Sequence, residues 1–141
     1  PSELNAAFLF AQLENIEEIQ SKRLKIWNYY HSELQSLFES KSLGSPDIPE
    51  YATNNAHMFY VVCENSEVRS KLIAHLKSDK IHAVFHYLSL HKSPFYDSKH
   101  DSRKLENCDY YADCLLRLPF HLSLTDENLK TITNSIKKFY S

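Results

Sequence analysis

The sequence predicts an α+β fold in which helices cover a small three-stranded sheet and a long N-terminal helix precedes it. Apolar residues recur at helical spacing over residues 2–38. Three later segments are rich in aromatic and β-branched residues, and further helical patterns separate them. The predicted order is therefore α–β–α–β–α–β–α. The 141 residues, 43% of them hydrophobic, suffice for one core, whereas the pattern leaves the strand directions open.

The first predicted helix is longer than a domain of this size needs. Ser2 is a suitable N-cap, and Glu3 places an acid in the first turn, where the helix dipole favours an anion. At ~1.5 Å per residue, residues 2–38 would extend roughly 50 Å. We therefore expect residues 1–40 to be a connecting helix that packs on something outside this chain. Residues 41–141 are expected to form a small α+β domain.

The rest of the chain alternates between short strands and helices. Strands are expected at residues 57–63, 81–87 and 116–122. Pro119 confines the third strand to a sheet edge or a strand end. Ser66 and Thr125 are the expected caps of two helices, and another helix is expected over residues 104–116. The residues expected to face the core from these three helices are Val68, Leu72, Ile73, Leu76, Cys108, Tyr111, Ala112, Leu115, Leu129, Ile132, Ile136 and Phe139.

The composition argues against several classes of protein. Lysine and arginine number 16 against 18 acidic residues, so the chain has no electrostatic reason to bind nucleic acid or a membrane surface. A single glycine, Gly44, excludes phosphate-binding loops of the Walker A and dinucleotide types. Three cysteines without a C-x-x-C pair disfavour a disulfide framework or a cysteine-based zinc site. We expect a cytoplasmic protein without a bound metal, a signal peptide or a membrane span.

The densest polar and aromatic cluster follows the second predicted strand. His82 and His86 would lie ~13 Å apart on a strand, too far to share a metal. A zinc site built from His86, His91 and His100 lacks a recognised spacing. The cluster is either a strand end with scattered histidines or a strand end that presents histidine and Tyr87 to a ligand. Histidine suits proton transfer or the binding of anionic oxygen, and tyrosine stacks and donates a hydrogen bond.

The start of the sequence bears on how much of a site to expect. The first residue is Pro1 and the only methionine is Met58, whereas a translation product ordinarily begins with methionine. We therefore expect this chain to be a piece of a longer protein and to carry only part of any active site.

Four motifs, in order, make the chain resemble the DegT/DnrJ/EryC1/StrS family of sugar aminotransferases. The motifs are the helix at residues 2–14 with Gln12-Leu13, the string Asn55–Tyr60, the string Ala83–His91, and Arg117-Leu118-Pro119 followed by Leu122-Ser123. The resemblance covers nearly the whole chain. Ser89 departs from it, because the family commonly has proline at this position.

The resemblance implies a parent enzyme that uses pyridoxal 5′-phosphate to transfer an amino group from glutamate to a nucleotide-linked 4-keto-6-deoxy sugar, such as a dTDP-sugar, for cell-surface polysaccharides. It also implies that this chain is the small C-terminal domain of a fold-type I aminotransferase. In such enzymes the Schiff-base lysine, its acidic partner and the stacking aromatic residue lie in the large domain, which would precede Pro1. No catalytic or cofactor-binding residue is therefore expected in this chain, which alone should be inactive.

The resemblance and the strand-end argument together select the candidate substrate-binding residues, Phe85, His86, Tyr87 and His91. The parent enzyme is expected to be a homodimer. The alternative is a free-standing α+β module that binds a small molecule or regulates without catalysis.

A separate expectation concerns self-association. Phe8, Leu9, Phe10 and Leu13 make the first helix apolar nearly all round, and such a helix must be buried. We expect this chain to self-associate through that helix.

Overall fold

The computed structural model describes residues 2–141, which form six α-helices, three short strands and one 3₁₀ turn. In chain order these are α1 (Glu3–Leu13), α2 (Ile16–Glu33), α3 (Gln35–Glu39), β1 (Tyr60–Val62), α4 (Ser66–Ser78), β2 (Val84–Phe85), the 3₁₀ turn (Leu90–Lys92), α5 (Glu106–Cys114), β3 (Leu115–Arg117) and α6 (Asp126–Phe139). The α+β class and the number of strands agree with the prediction.

The predicted N-terminal helix is present as three successive helices, α1, α2 and α3. The first break lies at Asn15, which has φ −108° and ψ 13° and whose side-chain amide donates to the carbonyl of Ala11 at 3.0 Å. Asparagine side chains that bond to nearby backbone groups compete with the helical ladder. The second break lies at the buried Leu34, with φ −97° and ψ 3°.

Side chains cap three of the helices. Ser2 accepts a hydrogen bond from the Asn5 amide at 3.4 Å, as expected for an N-cap. Thr125 also caps its helix as predicted. The prediction for α4 was off by one residue. Asn65 is the N-cap, because its backbone is extended and its side-chain oxygen accepts from the Val68 amide at 2.9 Å, whereas Ser66 is already helical.

The sheet has the strand order β1-β3-β2, with β3 antiparallel to both neighbours. The strands β1 and β2 therefore run in the same direction on either side of β3. All three strands are shorter than predicted. Pro119 lies just beyond β3, and the third strand ends before it although this strand is central. This agrees with the strand-end alternative, since proline lacks the donor that a central ladder needs.

The core lies between one face of the sheet and the helices α2, α4 and α6. Its centre is aromatic: the Phe59 ring lies 5.4 Å from Trp27 and 5.2 Å from Tyr30. Tyr30 is fully buried, and its hydroxyl donates to the carbonyl of Pro119 at 2.8 Å. A buried phenol needs such a partner. Since α2 supplies both Trp27 and Tyr30, much of the predicted connector belongs to the same core as the sheet.

Helix α5 lies against the sheet differently from the prediction. Cys108 and Tyr111 were expected to face the core, but both are exposed, while Cys114 and Leu115 are buried. The helix is short and lies beside β2 and α4, so only its C-terminal end reaches the interior.

Within residues 2–141, none of the helices combines the length and the apolar character that crossing a membrane requires.

Candidate functional site

The candidate site is built on the β2 segment, which we define as residues 84–92. Phe85 pairs with Leu116 across the sheet but leaves 47% of its surface exposed. The guanidinium of Arg69 lies 5.7 Å from the centre of the Phe85 ring, and Arg69 also donates to the carbonyl of Ala112 at 2.7 Å. A cation over an aromatic face is an attractive arrangement that holds Phe85 in place.

His86 and Tyr87 lie together after β2. Their ring centres are 4.6 Å apart, and Tyr87 is 76% exposed. The Nδ1 atom of His86 is buried and has no hydrogen-bond partner among the described residues. Burial lowers the pKa of His86, and the positive charges of Arg117 and His57 lower it further. Burial therefore favours the neutral form of the His86 imidazole, and its Nδ1 has no partner among the described residues.

An open groove of ≈ 350 Å³ runs between the β2 segment and α5. His86 and Tyr87 line one end, and the apolar side chains of Leu88 and Leu90 extend along the segment. Tyr111, exposed on α5, lines the facing wall. Aromatic and aliphatic walls with a few polar groups are typical of sites that bind small molecules.

His91 lies outside this groove, in the 3₁₀ turn, with 12% of its side chain exposed. Its Nε2 is 3.2 Å from a carboxylate oxygen of Asp109, and its ring centre is 5.1 Å from that of His100. The two histidines border a second, smaller cavity of ≈ 230 Å³. The structure thus brings His86 and Tyr87 together and places His91 in a different environment.

Asp109 holds the β2 segment against α5. Besides His91, it accepts from Lys92 Nζ at 2.8 Å and from the Ser89 hydroxyl at 3.1 Å. The Lys92 hydrogen bond lowers the pKa of Asp109, and Asp109 in turn raises the pKa of Lys92. These contacts fix residues 89–92 of the β2 segment, whereas the side chain of Tyr87 remains exposed.

Ser89 occupies the position at which the resembling family commonly has proline. Its φ is −59°, close to the value at which a proline ring fixes the backbone. The segment therefore has a proline-like conformation without proline, and the serine hydroxyl adds the bond to Asp109.

Sequence reasoning did not identify Asp109 or Arg117 as neighbours of the candidate residues. Ser89 and Asp109 are 20 positions apart, and their contact depends on how α5 packs. Arg117 reaches the site only because β3 pairs with β2. No local spacing in the sequence predicts either contact.

The described residues 2–141 contain no group of three or more histidine, cysteine or acidic side chains that could hold a metal ion. A Schiff-base cofactor would need a lysine whose amine is neutral in a secluded pocket. Every lysine of this chain is exposed except Lys137, which is half-buried in an ion pair with Glu33 at 2.7 Å. The lysines present therefore do not fit such a cofactor.

Comparison with protein families gives one clear match. The model of the DegT/DnrJ/EryC1/StrS aminotransferase family matches residues 2–137.

Individual relatives match over nearly all of this chain. An uncharacterized protein of Methanocaldococcus jannaschii is 24% identical over 145 residues, which cover 99% of this chain and 37% of the relative. DesV from S. venezuelae is 24% identical, with a TM-score of 0.85 over 95% of this chain and 35% of its own. The putative sugar aminotransferase Spr1654 from Streptococcus pneumoniae, in its PMP form, is 21% identical, with a TM-score of 0.75 over 92% of this chain and 33% of its own. The chain thus spans about a third of the length of these relatives.

Proposed function

The chain belongs to the DegT/DnrJ/EryC1/StrS aminotransferase family, and on this premise we propose that it is the C-terminal domain of a sugar aminotransferase. The parent enzyme transfers an amino group from glutamate to a nucleotide-linked 4-keto-6-deoxy sugar, in the cytoplasm and as a homodimer, for cell-surface polysaccharides. Two features support the proposal: the family match over residues 2–137 and the likeness in fold to a putative sugar aminotransferase.

We propose further that the substrate is dTDP-4-keto-6-deoxyglucose and the product dTDP-4-amino-4,6-dideoxygalactose. The strings Asn55–Tyr60 and Ala83–Tyr87 support this branch of the family. In the structure Asn55 turns the chain into β1, since its side chain accepts from the His57 amide at 3.2 Å. The second string forms β2 and the start of the groove. The first string leads into the start of β1, whereas the second contains β2 and the residues that follow it.

The role of this chain is to supply one wall of the substrate cleft through Phe85, His86, Tyr87 and His91. The observation that carries this role is the exposure of Tyr87 in the lining of a groove, on a segment that Asp109 holds through Ser89 and Lys92. If the β2 segment were mobile, ordering it on ligand binding would cost conformational entropy. Because the segment is already anchored, its aromatic rings can contact a ligand with little of that cost. His91, which lies outside the groove, contributes indirectly, because its contact with Asp109 helps to hold the β2 segment in place.

Pyridoxal phosphate is the cofactor of this family, and it belongs to the part of the parent enzyme outside this chain. The exposed lysines described above do not fit it, so no step of the amino transfer is assigned to residues of this chain. The chain's own contribution is to bind and orient the sugar substrate and to exclude water from it.

The proposal is tested on the complete gene product that contains this chain. We expect it to bind pyridoxal phosphate, visible in its absorbance, and to convert the dTDP-linked keto sugar to the amine with glutamate, measured by mass spectrometry. A gene product that lacks a lysine-bearing domain, or that does not bind the cofactor, would contradict the aminotransferase assignment. Cofactor binding without amination of this sugar would contradict the substrate alone.

Changing Tyr87 to alanine in that enzyme tests the role of the groove. We expect kcat/KM for the nucleotide sugar to fall by an amount that corresponds to a loss of about 1–2 kcal/mol of transition-state stabilisation. The cofactor absorbance should be unchanged. The melting temperature should stay the same because the side chain is exposed. The matched control is Tyr51→Ala, since Tyr51 is 93% exposed and lies outside the groove. Equal effects of the two substitutions would remove Tyr87 from the substrate site.

A further inference from the structure

Arg117 lies at the centre of the sheet, on the face turned away from the core. It is paired with Tyr60 of β1 on one side and with Val84 of β2 on the other. The preceding residue, Leu116, is fully buried in the core, so alternation along the strand directs Arg117 to the opposite face. His86 follows Val84 by two residues and shares that face.

Arg117 differs from the other arginines of this chain because it has no polar partner. Within residues 2–141, Arg23 and Arg69 donate to backbone carbonyls, and Arg103 pairs with Asp101 at 3.3 Å. The side chain of Arg117 makes no ion pair or hydrogen bond in the described chain, although it is half-buried. The guanidinium of Arg117 carries five donors and a full positive charge, none of which is used within the described chain.

Apart from Asp47, the groups that we identify around Arg117 are donors or carry positive charge. His86 has a buried ring nitrogen without a partner, and the charges that act on it are those of Arg117 and His57. Burial raises the pKa of Tyr60, with smaller contributions from Tyr111 and Asp47, so its phenol remains a donor. The arrangement therefore offers positive charge and donors. The one acid identified nearby among the described residues is Asp47, whose negative charge contributes to the raised pKa of Tyr60.

We propose that Arg117, together with His86, binds an oxyanion on the face of the sheet opposite the main core. The inference rests on the proposed function for the source of that oxyanion, which is either a phosphate group of the nucleotide sugar or a carboxylate of the amino donor. Both present oxygen pairs that match the planar guanidinium fork. A neutral imidazole beside Arg117 either donates from one nitrogen or gains a proton when the anion arrives.

The experiment uses this 141-residue chain and three probes: inorganic pyrophosphate, glutarate and, as a salt control, chloride at matched ionic strength. Binding is followed at constant pH through the ring signals of His86 in two-dimensional NMR, which are assigned by their loss in His86→Gln. We expect a saturable shift with pyrophosphate if the site takes the nucleotide sugar, or with glutarate if it takes the amino donor. Chloride should give no saturable shift.

Substitution of Arg117 separates a built site from general charge. Arg117→Gln should weaken binding at least about tenfold, since a charge-assisted hydrogen bond is lost. Arg103→Gln is the matched control, because it removes the same charge at an exposed site, and it should leave binding unchanged. If Arg117→Gln does not fold by circular dichroism, Arg117→Lys keeps the charge without the fork and should still weaken binding.

Two outcomes would overturn the inference. One is a wild-type chain in which neither pyrophosphate nor glutarate shifts the His86 signals. The other is equal binding by the Arg117 and Arg103 variants. Either result leaves the proposed function intact, because cofactor binding and amination are measured separately on the complete enzyme.

Discussion

Gly44 determines how closely the chain approaches the outer edge of the sheet. It exchanges two backbone hydrogen bonds with Val62, of 2.7 and 3.0 Å, and so extends the ladder beyond β1. Its φ is not in the left-handed region, so conformational freedom is not why glycine occurs here. A Cβ at this position would lie 3.0 Å from the Cβ of Val62, closer than most packed carbon atoms approach, so the neighbouring strand would have to shift slightly.

Replacing Gly44 with alanine should therefore destabilise the fold. We expect a loss of about 1–2 kcal/mol in the free energy of unfolding, because the strand edge must move to relieve the contact. Urea unfolding followed by circular dichroism measures this loss. Ser45→Ala is the control, since Ser45 is exposed beside it. Equal stability of the two variants would show that the edge adapts without cost.

Asp109 is the residue whose ionisation links the β2 segment to α5. The hydrogen bond from Lys92 holds its pKa below the ordinary value of 3.8. A lowered pKa in the folded state adds stability above the pKa of the unfolded chain, and that stability disappears as the pH falls through the folded value. The contribution is thus present at neutral pH and is lost below 3.8.

Asp109→Asn should consequently flatten the acid limb of the stability curve. We expect the wild-type chain to lose more stability than the variant when urea unfolding is repeated from neutral pH down to about pH 3. Asp113→Asn provides the comparison, since Asp113 is exposed on the same helix and forms no ion pair within residues 2–141. Parallel curves for the wild-type and Asp109 variants would show that the cluster around Asp109 adds nothing to folding.

Among the elements, α6 has the most complete cap. Thr125 accepts from the Asn128 amide at 3.1 Å, and the Asn128 side chain accepts from the Thr125 amide at 3.1 Å. This reciprocal pair satisfies two donors that a helix start otherwise leaves free. Since α6 packs on both α2 and α4, its first turn supports the whole helical layer.

Thr125→Ala should cost about 1 kcal/mol of unfolding free energy, the ordinary value of a lost N-cap. Thr131→Ala makes the same chemical change in the middle of the same helix, at an exposed site, and should be close to neutral. Thermal unfolding of the two variants side by side distinguishes the cap from the general effect of removing a hydroxyl. A Thr125 variant as stable as the Thr131 variant would contradict the capping argument.

The helices were more predictable than the sheet, for a physical reason. An amphipathic helix repeats its signal over many residues, so α4 and α6 were identified together with most of their buried faces. The strands hold only two or three paired residues each, and their order and directions depend on contacts between distant segments. The segment carrying His86 and Tyr87 stands out in the sequence because its aromatic and polar residues are consecutive. Its neighbours Asp109 and Arg117 could not be predicted, because they reach it only through contacts between distant parts of the chain.

Considered as a whole, the molecule has a core to which the sheet and the helices α2, α4 and α6 contribute, whereas α1 does not. No residue of α1 is buried, and its large apolar side chains are exposed: Leu4 by 83%, Phe8 by 70%, Phe10 by 64%, Leu9 by 58% and Leu13 by 52%. A surface of this kind is unfavourable in water unless something covers it. In the proposed parent enzyme the remaining two thirds of the protein would cover α1, and in this chain alone we expect a second copy to do so.

We therefore predict that this chain self-associates through α1. Light scattering across a wide range of concentrations should show a mass above that of the 16.5 kDa monomer, which decreases on dilution. The double substitution Phe8→Gln and Phe10→Gln should shift the equilibrium towards monomer without lowering the melting temperature, because neither ring contributes to the core. Phe95→Gln is the matched control, since that ring is 63% exposed elsewhere and should leave the association unchanged. A monomeric wild-type chain at all concentrations, or equal masses for the α1 variant and the Phe95 control, would show that α1 is not the contact between copies.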